Sequence, residues 1–263
     1  MKKILCCLCL WFPCLLAQAE VHLIAYPSSA DQQATIPTVY WPKENSTAVL
    51  IFLPGGSGSF GLVQKNPPRP FWLFADLYTS PEAMFDIVFM DSYFSLQADT
   101  GDAYSRWAAR RETSHLERIK KTVDFYKSKT GKPVFLIGHS NGSLSVAEFL
   151  DHSRDNQGML AGVIFSGSRN ETEVKQPLKL PSLVLHHKQD SNRWTTHASA
   201  ERLFASIQQK NASKTEQRWV YGGEDILGRD PAYTGRHMYF EATAEAASIV
   251  QNFLNQVLGL TVD

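Results

Sequence analysis

A serine set between glycines, Gly138-His139-Ser140-Asn141-Gly142, is where this sequence first offers covalent chemistry. A serine hydroxyl is a weak nucleophile at neutral pH. It needs a base to take its proton, and the base needs a carboxylate to fix its tautomer and orientation. The G-x-S-x-G pattern carries meaning only where a strand enters it and a helix leaves it, because the sharp turn then lifts the serine above the sheet edge. The stretch Pro133–Leu150 meets that condition. Val134 to Ile137 is a short apolar run of β-formers, and Leu144, Ala147, Phe149 and Leu150 give a helical stripe. The competing interpretation is a glycine-rich turn with an exposed, unreactive serine.

Eight histidines compete for the role of base. His22 lies in an early strand, His115 and His152 on helical stretches, and His197 opens a helix. His139 should be turned away from Ser140 by its position in the turn, and one of His186 and His187 could line a cleft at the end of its strand. His237 fits best, because it lies between the last predicted strand and the last helix, just after Gly235. For the carboxylate, Asp190 follows the penultimate strand; it could equally serve as a turn or helix cap. Glu224, Asp225 and Asp230 are rivals, but they share the loop of His237. An acyl-transfer site also needs amide donors for an oxyanion. Asn141, the residue after the serine, supplies one, and Gly56, in the loop after the Thr47–Leu53 strand, is the choice for the second. The expected geometry puts His237 within hydrogen-bond reach of both Ser140 and Asp190.

The elements that would carry these groups follow from hydrophobic pattern. Val21–Tyr26 and Ala34–Trp41 read as two strands joined by a turn, an antiparallel start. Thr47–Leu53, Phe85–Met90, Met159–Ser166, Ser182–His187 and Glu216–Tyr221 read as further strands. Helices are expected over Phe71–Tyr78, Asp102–Lys129, Ala198–Gln209 and Thr243–Leu258. In the second of these, Arg106, Arg110 and Arg111 are expected to coat an exposed face, with an anionic-substrate role as the alternative. Strands that alternate with helices predict an α/β fold with a mainly parallel sheet, and ligands bind beyond the carboxyl ends of such strands. Gly56, Ser140, Asp190 and the loop after Tyr221 all fall at that end.

The chain has 263 residues, with 26 basic and 26 acidic side chains. That balance gives little support to nucleic-acid binding. Lys2 and Lys3, the apolar run Ile4–Leu16 and the small-x-small triplet Ala17-Gln18-Ala19 form a signal-peptide pattern, with cleavage after Ala19. An uncleaved anchor is the alternative. The expected product is an exported protein, periplasmic or secreted, comprising one domain over residues 20–263 with no stable membrane span. Cys6, Cys7, Cys9 and Cys14 all lie in the leader, so the mature chain has no cysteine for a disulfide, a nucleophile or a thiolate metal site.

On these residues the chain resembles the α/β-hydrolases. Their strand–G-x-S-x-G–helix elbow is matched by Gly138–Gly142, their order of serine, acid and histidine by Ser140, Asp190 and His237, and their oxyanion loop by Leu53-Pro54-Gly55-Gly56. Pro54 stands where many members carry histidine, and Ser143 where a further glycine is frequent. The short connection from Gly167 to Leu180 leaves little room for a large lid. The resemblance implies cleavage of a small-molecule acyl substrate, an ester by preference, with no metal or organic cofactor. A serine peptidase, an acyltransferase and a non-catalytic binding protein on the same scaffold remain alternatives.

Overall fold

Largely apolar runs form strands buried on both faces. Ala48–Leu53 (β3), Phe85–Met90 (β4), Val134–His139 (β5) and Ser182–His187 (β7) are such runs, each six residues long and each buried throughout, with Asp86 inside β4 and histidines at the ends of β5 and β7. A computed structural model of the chain describes residues 19–26, 35–56, 58, 83–92, 107–210, 214–224 and 235–260. The remaining strands are β1 (Glu20–Ala25), β2 (Thr35–Trp41), β6 (Gly162–Ser166) and β8 (Thr215–Val220). The eight strands form one sheet in the order β1-β2-β4-β3-β5-β6-β7-β8. β2 pairs antiparallel with β1 and β4, and every other pairing is parallel.

Alternation along each strand divides the core in two. Val49, Ile51 and Leu53 of β3 and Val134 and Leu136 of β5 point to one face. They pack there against α1 (Thr113–Thr130), α2 (Asn141–His152) and α4 (His197–Gln209), while α3 is the short helix Arg154–Gly158. Leu50, Phe52, Phe135 and Ile137 point to the other face, which α5 (Thr243–Leu258) covers through Ala246, Val250, Phe253 and Leu254. The register aligns Leu53 with Gly138, His139 with Ser166 and His187 with Val220, so the carboxyl ends of the parallel strands form one continuous edge.

Three expectations need correction. The helix expected over Asp102–Lys129 does not run through: within its described part the chain turns at Arg110 and Arg111, and α1 starts at Thr113 after an extended Glu112 (φ −63°, ψ 134°). Nine residues, about two and a half helical turns, separate Trp107 from Leu116, which would set them on opposite sides of one continuous helix. Arg110 does not coat an exposed face; it is wholly buried, while Arg111 is exposed and pairs with Glu148. The strand expected from Met159 starts only at Gly162, because α3 occupies the residues before it and Met159 caps it. The leader up to residue 18 and the helix expected over Phe71–Tyr78 lie outside the described residues.

Candidate active site

β5 ends at His139 and α2 begins at Asn141, so a single residue, Ser140, makes the whole turn. Its backbone sits at φ 54° and ψ −122°, a strained conformation for a residue with a side chain, worth roughly 1–3 kcal/mol. The tightness of the turn explains its glycines. A Cβ on Gly138 would lie 2.2 Å from the Gly142 carbonyl oxygen, and one on Gly142 would lie 2.1 Å from that of Leu53. Ser140 occupies the N-cap of α2 but its side chain caps nothing, which leaves the hydroxyl uncommitted to the helix. The Ser140 amide donates to Ser166 O (2.9 Å), and Ser143 Oγ donates to Ser140 O (2.6 Å), so the strained turn is held from both sides.

Asp190 and His237, far apart in sequence, meet beyond β7. His237 Nδ1 lies 2.9 Å from Asp190 Oδ2 and 3.0 Å from Thr195 Oγ1, and Thr195 Oγ1 donates to the same Oδ2 (2.9 Å). With the threonine proton spent on the carboxylate, both groups face Nδ1 as acceptors. They select the tautomer protonated at Nδ1 and leave Nε2 as a base. His186 Nε2 sits 2.7 Å from Thr195 O and 3.3 Å from Asp190 Oδ2, and the Asn192 amide donates to Oδ1 (2.9 Å). Burial pushes the Asp190 carboxyl up, yet the hydrogen bonds from His186 and His237 outweigh it and hold the group well below the usual carboxylate range.

His237 reaches the elbow through its ring. It packs on His139, the residue before Ser140, with centroids 4.8 Å apart and planes at 39°. The imidazoles fit because Gly167 carries no side chain: a Cβ there would lie 2.8 Å from the His139 ring and 3.2 Å from that of His237. His139 is held by Ser166 (3.1 Å), Ser166 by Tyr239 (3.0 Å), and Tyr239 donates to Leu185 O (3.2 Å). Burial, aided by the neighbouring His237, keeps His139 well below the ordinary imidazole range and therefore neutral. Among the described residues no hydrogen bond joins the Ser140 hydroxyl to His237. The reach expected of His237 is thus found toward Asp190 and not toward Ser140.

The loop after β3 abuts the serine. A Cβ on Gly55 would lie 2.9 Å from Ser140 Cβ and 3.5 Å from its Oγ. Gly58 donates to Gly55 O (2.9 Å) and Ser92 to Gly58 O (2.7 Å), closing a tight turn in which Gly56 takes φ 53°. The Gly56 carbonyl accepts from the side chains of Asn141 (2.9 Å) and Arg110 (3.2 Å). Since the Gly55 carbonyl faces into the turn, the trans Gly56 N–H points out of it.

The other singled-out histidines lie elsewhere. His22 contacts Tyr126, His115 contacts Ser145, and His187 contacts Gly222 O. His197 opens α4 and His152 ends α2. Trp194, weighed as a pocket aromatic, is 37% exposed between Arg169 and Arg193. Phe71, Trp72, Tyr93, Phe94, Asp225 and Asp230 lie outside the described residues. Nothing in the sequence marks Thr195, a threonine in a polar loop, or the Ser166–Tyr239 pair, whose partners are set by the register of β6 and β7. Among the described residues no group of three or more His, Cys, Asp or Glu side chains is arranged to hold a metal ion.

A parallel sheet with an antiparallel start, helices on both faces and a serine elbow at the carboxyl edge define the α/β-hydrolase fold. Solved structures agree. The chain is similar to the dienelactone hydrolase of Anabaena variabilis (15% identity, TM-score 0.63, covering 91% of this chain and 98% of that one). It is similar also to an α/β serine hydrolase without lid from Xanthomonas campestris (9% identity, TM-score 0.60, 96% and 98%). A third likeness is to an esterase of Pyrococcus furiosus (14% identity, TM-score 0.56, 91% and 92%). Residues 103–176 match the family described as lecithin:cholesterol acyltransferase, a stretch that holds β5, Ser140 and α2 and stops before Asp190 and His237. No curated protein matches the sequence.

Proposed function

We propose that the chain is an exported serine hydrolase that cleaves a carboxylic ester through an acyl-enzyme on Ser140. The observation that carries this reading is the contact of Asp190 Oδ2 with His237 Nδ1, on a ring packed at a tilt against the residue before a serine at φ 54°. His237 Nε2 takes the proton as Ser140 Oγ attacks the acyl carbon. The amides of Asn141 and Gly56 hold the oxyanion, and His237 returns the proton to the departing alcohol. Water then repeats the sequence on the acyl-serine and releases the acid. The names of the structural neighbours, a dienelactone hydrolase and an esterase among them, favour hydrolysis. The match to an acyltransferase family favours a second reading, in which an alcohol replaces water in the second half-reaction.

A fluorophosphonate probe should label the folded protein at Ser140 and leave Ser140→Ala unlabelled, and short p-nitrophenyl esters should be hydrolysed. A wild type that resists the probe would sink the proposal. Adding alcohols separates the two readings: a transferase diverts acyl groups to ester product at low alcohol, a hydrolase releases acid. Export rests on the leader pattern of the first nineteen residues, and cleavage after Ala19 would leave every described strand whole. N-terminal sequencing of the exported chain should read Glu20 first.

A further inference from the structure

Arg110 is wholly buried, and among the described residues no carboxylate pairs with it. Nη1 donates to Ser145 Oγ (2.8 Å), Nη2 donates to the Gly56 carbonyl (3.2 Å), and Nε has no hydrogen-bond partner among the described residues. Burial, together with the charge of Arg169, pushes its pKa down to about 9. A buried cation without an anion is costly, and an apolar side chain would fill the space without that cost. Structure alone gives no reason to keep an arginine here, so its two acceptors are informative. Ser145 belongs to α2, the helix that begins at the nucleophile; Gly56 belongs to the turn after β3. The planar guanidinium fork ties the two together in one geometry, as a lysine cannot. His115 Nε2 of α1 braces Ser145 from behind (2.9 Å).

We infer that Arg110 is a positioning residue that orients the oxyanion donor of Gly56. Two peptide planes meet at the Gly56 α-carbon. Gly58 fixes the first by donating to Gly55 O; Arg110 and the Asn141 side chain fix the second by donating to Gly56 O. Glycine has the freedom to rotate both planes. With all three donors in place it cannot, and the Gly56 N–H is aimed before substrate arrives. The inference rests on the reading of Ser140 as nucleophile.

The test uses the mature chain and a p-nitrophenyl ester, with fluorophosphonate labelling as a control. Arg110→Met should lower kcat about ten- to a hundredfold with KM nearly unchanged, less than the 10²–10³ lost when a donor is removed outright. Arg110→Lys should recover part of the loss, because an ammonium can reach Gly56 O but cannot hold both acceptors. Asn141→Ala keeps its backbone amide and removes the other donor to Gly56 O, so it should show the same kcat-specific loss. It also covers the case in which Arg110→Met fails to fold. A folded Arg110→Met or an Asn141→Ala with wild-type kcat would overturn the inference, as would losses confined to KM. A wild type inert to the probe would instead remove the nucleophile reading on which the inference stands.

Discussion

Asp190 Oδ2 receives more donors than a triad requires: His237 Nδ1, Thr195 Oγ1 and, at 3.3 Å, His186 Nε2. Each added donor stabilises the carboxylate and weakens its pull on His237. Thr195→Val removes one donor at nearly constant volume and leaves Asp190 alone to orient His237 Nδ1, so kcat should fall about two- to tenfold. An unchanged kcat would make the hydroxyl a packing group only. Asp190→Asn should cost about 10³–10⁴ in kcat, because an amide cannot hold the Nδ1-protonated tautomer. Asp190 also ties stability to acid. Its folded pKa lies below the unfolded value, so its contribution is complete above about pH 4 and fades as pH falls below that. Residues of this kind differ in how far the sequence exposes them. Ser140 stands in a motif with steric demands on its neighbours, and Asp190 and His237 follow strands whose ends must share an edge. Arg110 in a run of charges looks like a solvated surface, and only tertiary packing reveals its burial.

The strands were legible because burial on both faces writes largely apolar runs; Phe85–Met90, despite Asp86, and Ser182–His187 lie where the pattern put them. The break before α1 was hidden because no glycine or proline marks it; its one trace in the sequence is the half-turn phase slip between Trp107 and Leu116. That break places His115 two residues into α1, wholly inside, where burial and the charges of Arg110 and Arg118 push its pKa down to about 3. The unfolded chain therefore binds a proton between about pH 3 and 6.5 that the folded chain refuses, and stability falls as pH drops through that window. His139 adds to the fall with the same sign. Each such histidine steepens it by up to about 1.4 kcal/mol per pH unit. Urea titrations at stepped pH should show a shallower decline for His115→Gln; an unchanged slope would assign the decline to other groups. At the elbow, Gly142→Ala forces a Cβ onto the Leu53 carbonyl. It should cost about 3 kcal/mol or more, read as a lowered Tm or lost soluble yield.

Across the whole molecule, strand order was less legible than strand position. A sequence shows that β3 and β5 are buried, but β4 lies outside β3 because β2 pairs antiparallel with it, a non-local choice. The two-faced core divides the support of the candidate site. Ser140 is anchored between the central strand β5 and α2, whose buried side chains join the first face. His237 is carried on the segment leading into α5, which packs only on the second. Ser140 and His237 are thus supported by opposite sides of the sheet, and on the proposed mechanism lifting α5 away would withdraw His237 while the elbow stood. Local openings of edge elements cost less than global unfolding. Ester hydrolysis should then disappear at a lower urea concentration than the far-ultraviolet circular dichroism of the sheet; coincident transitions would mean that α5 and the sheet melt as one unit. Where the two separate, the docking of one helix decides whether the serine can react, in a molecule whose sheet is otherwise intact.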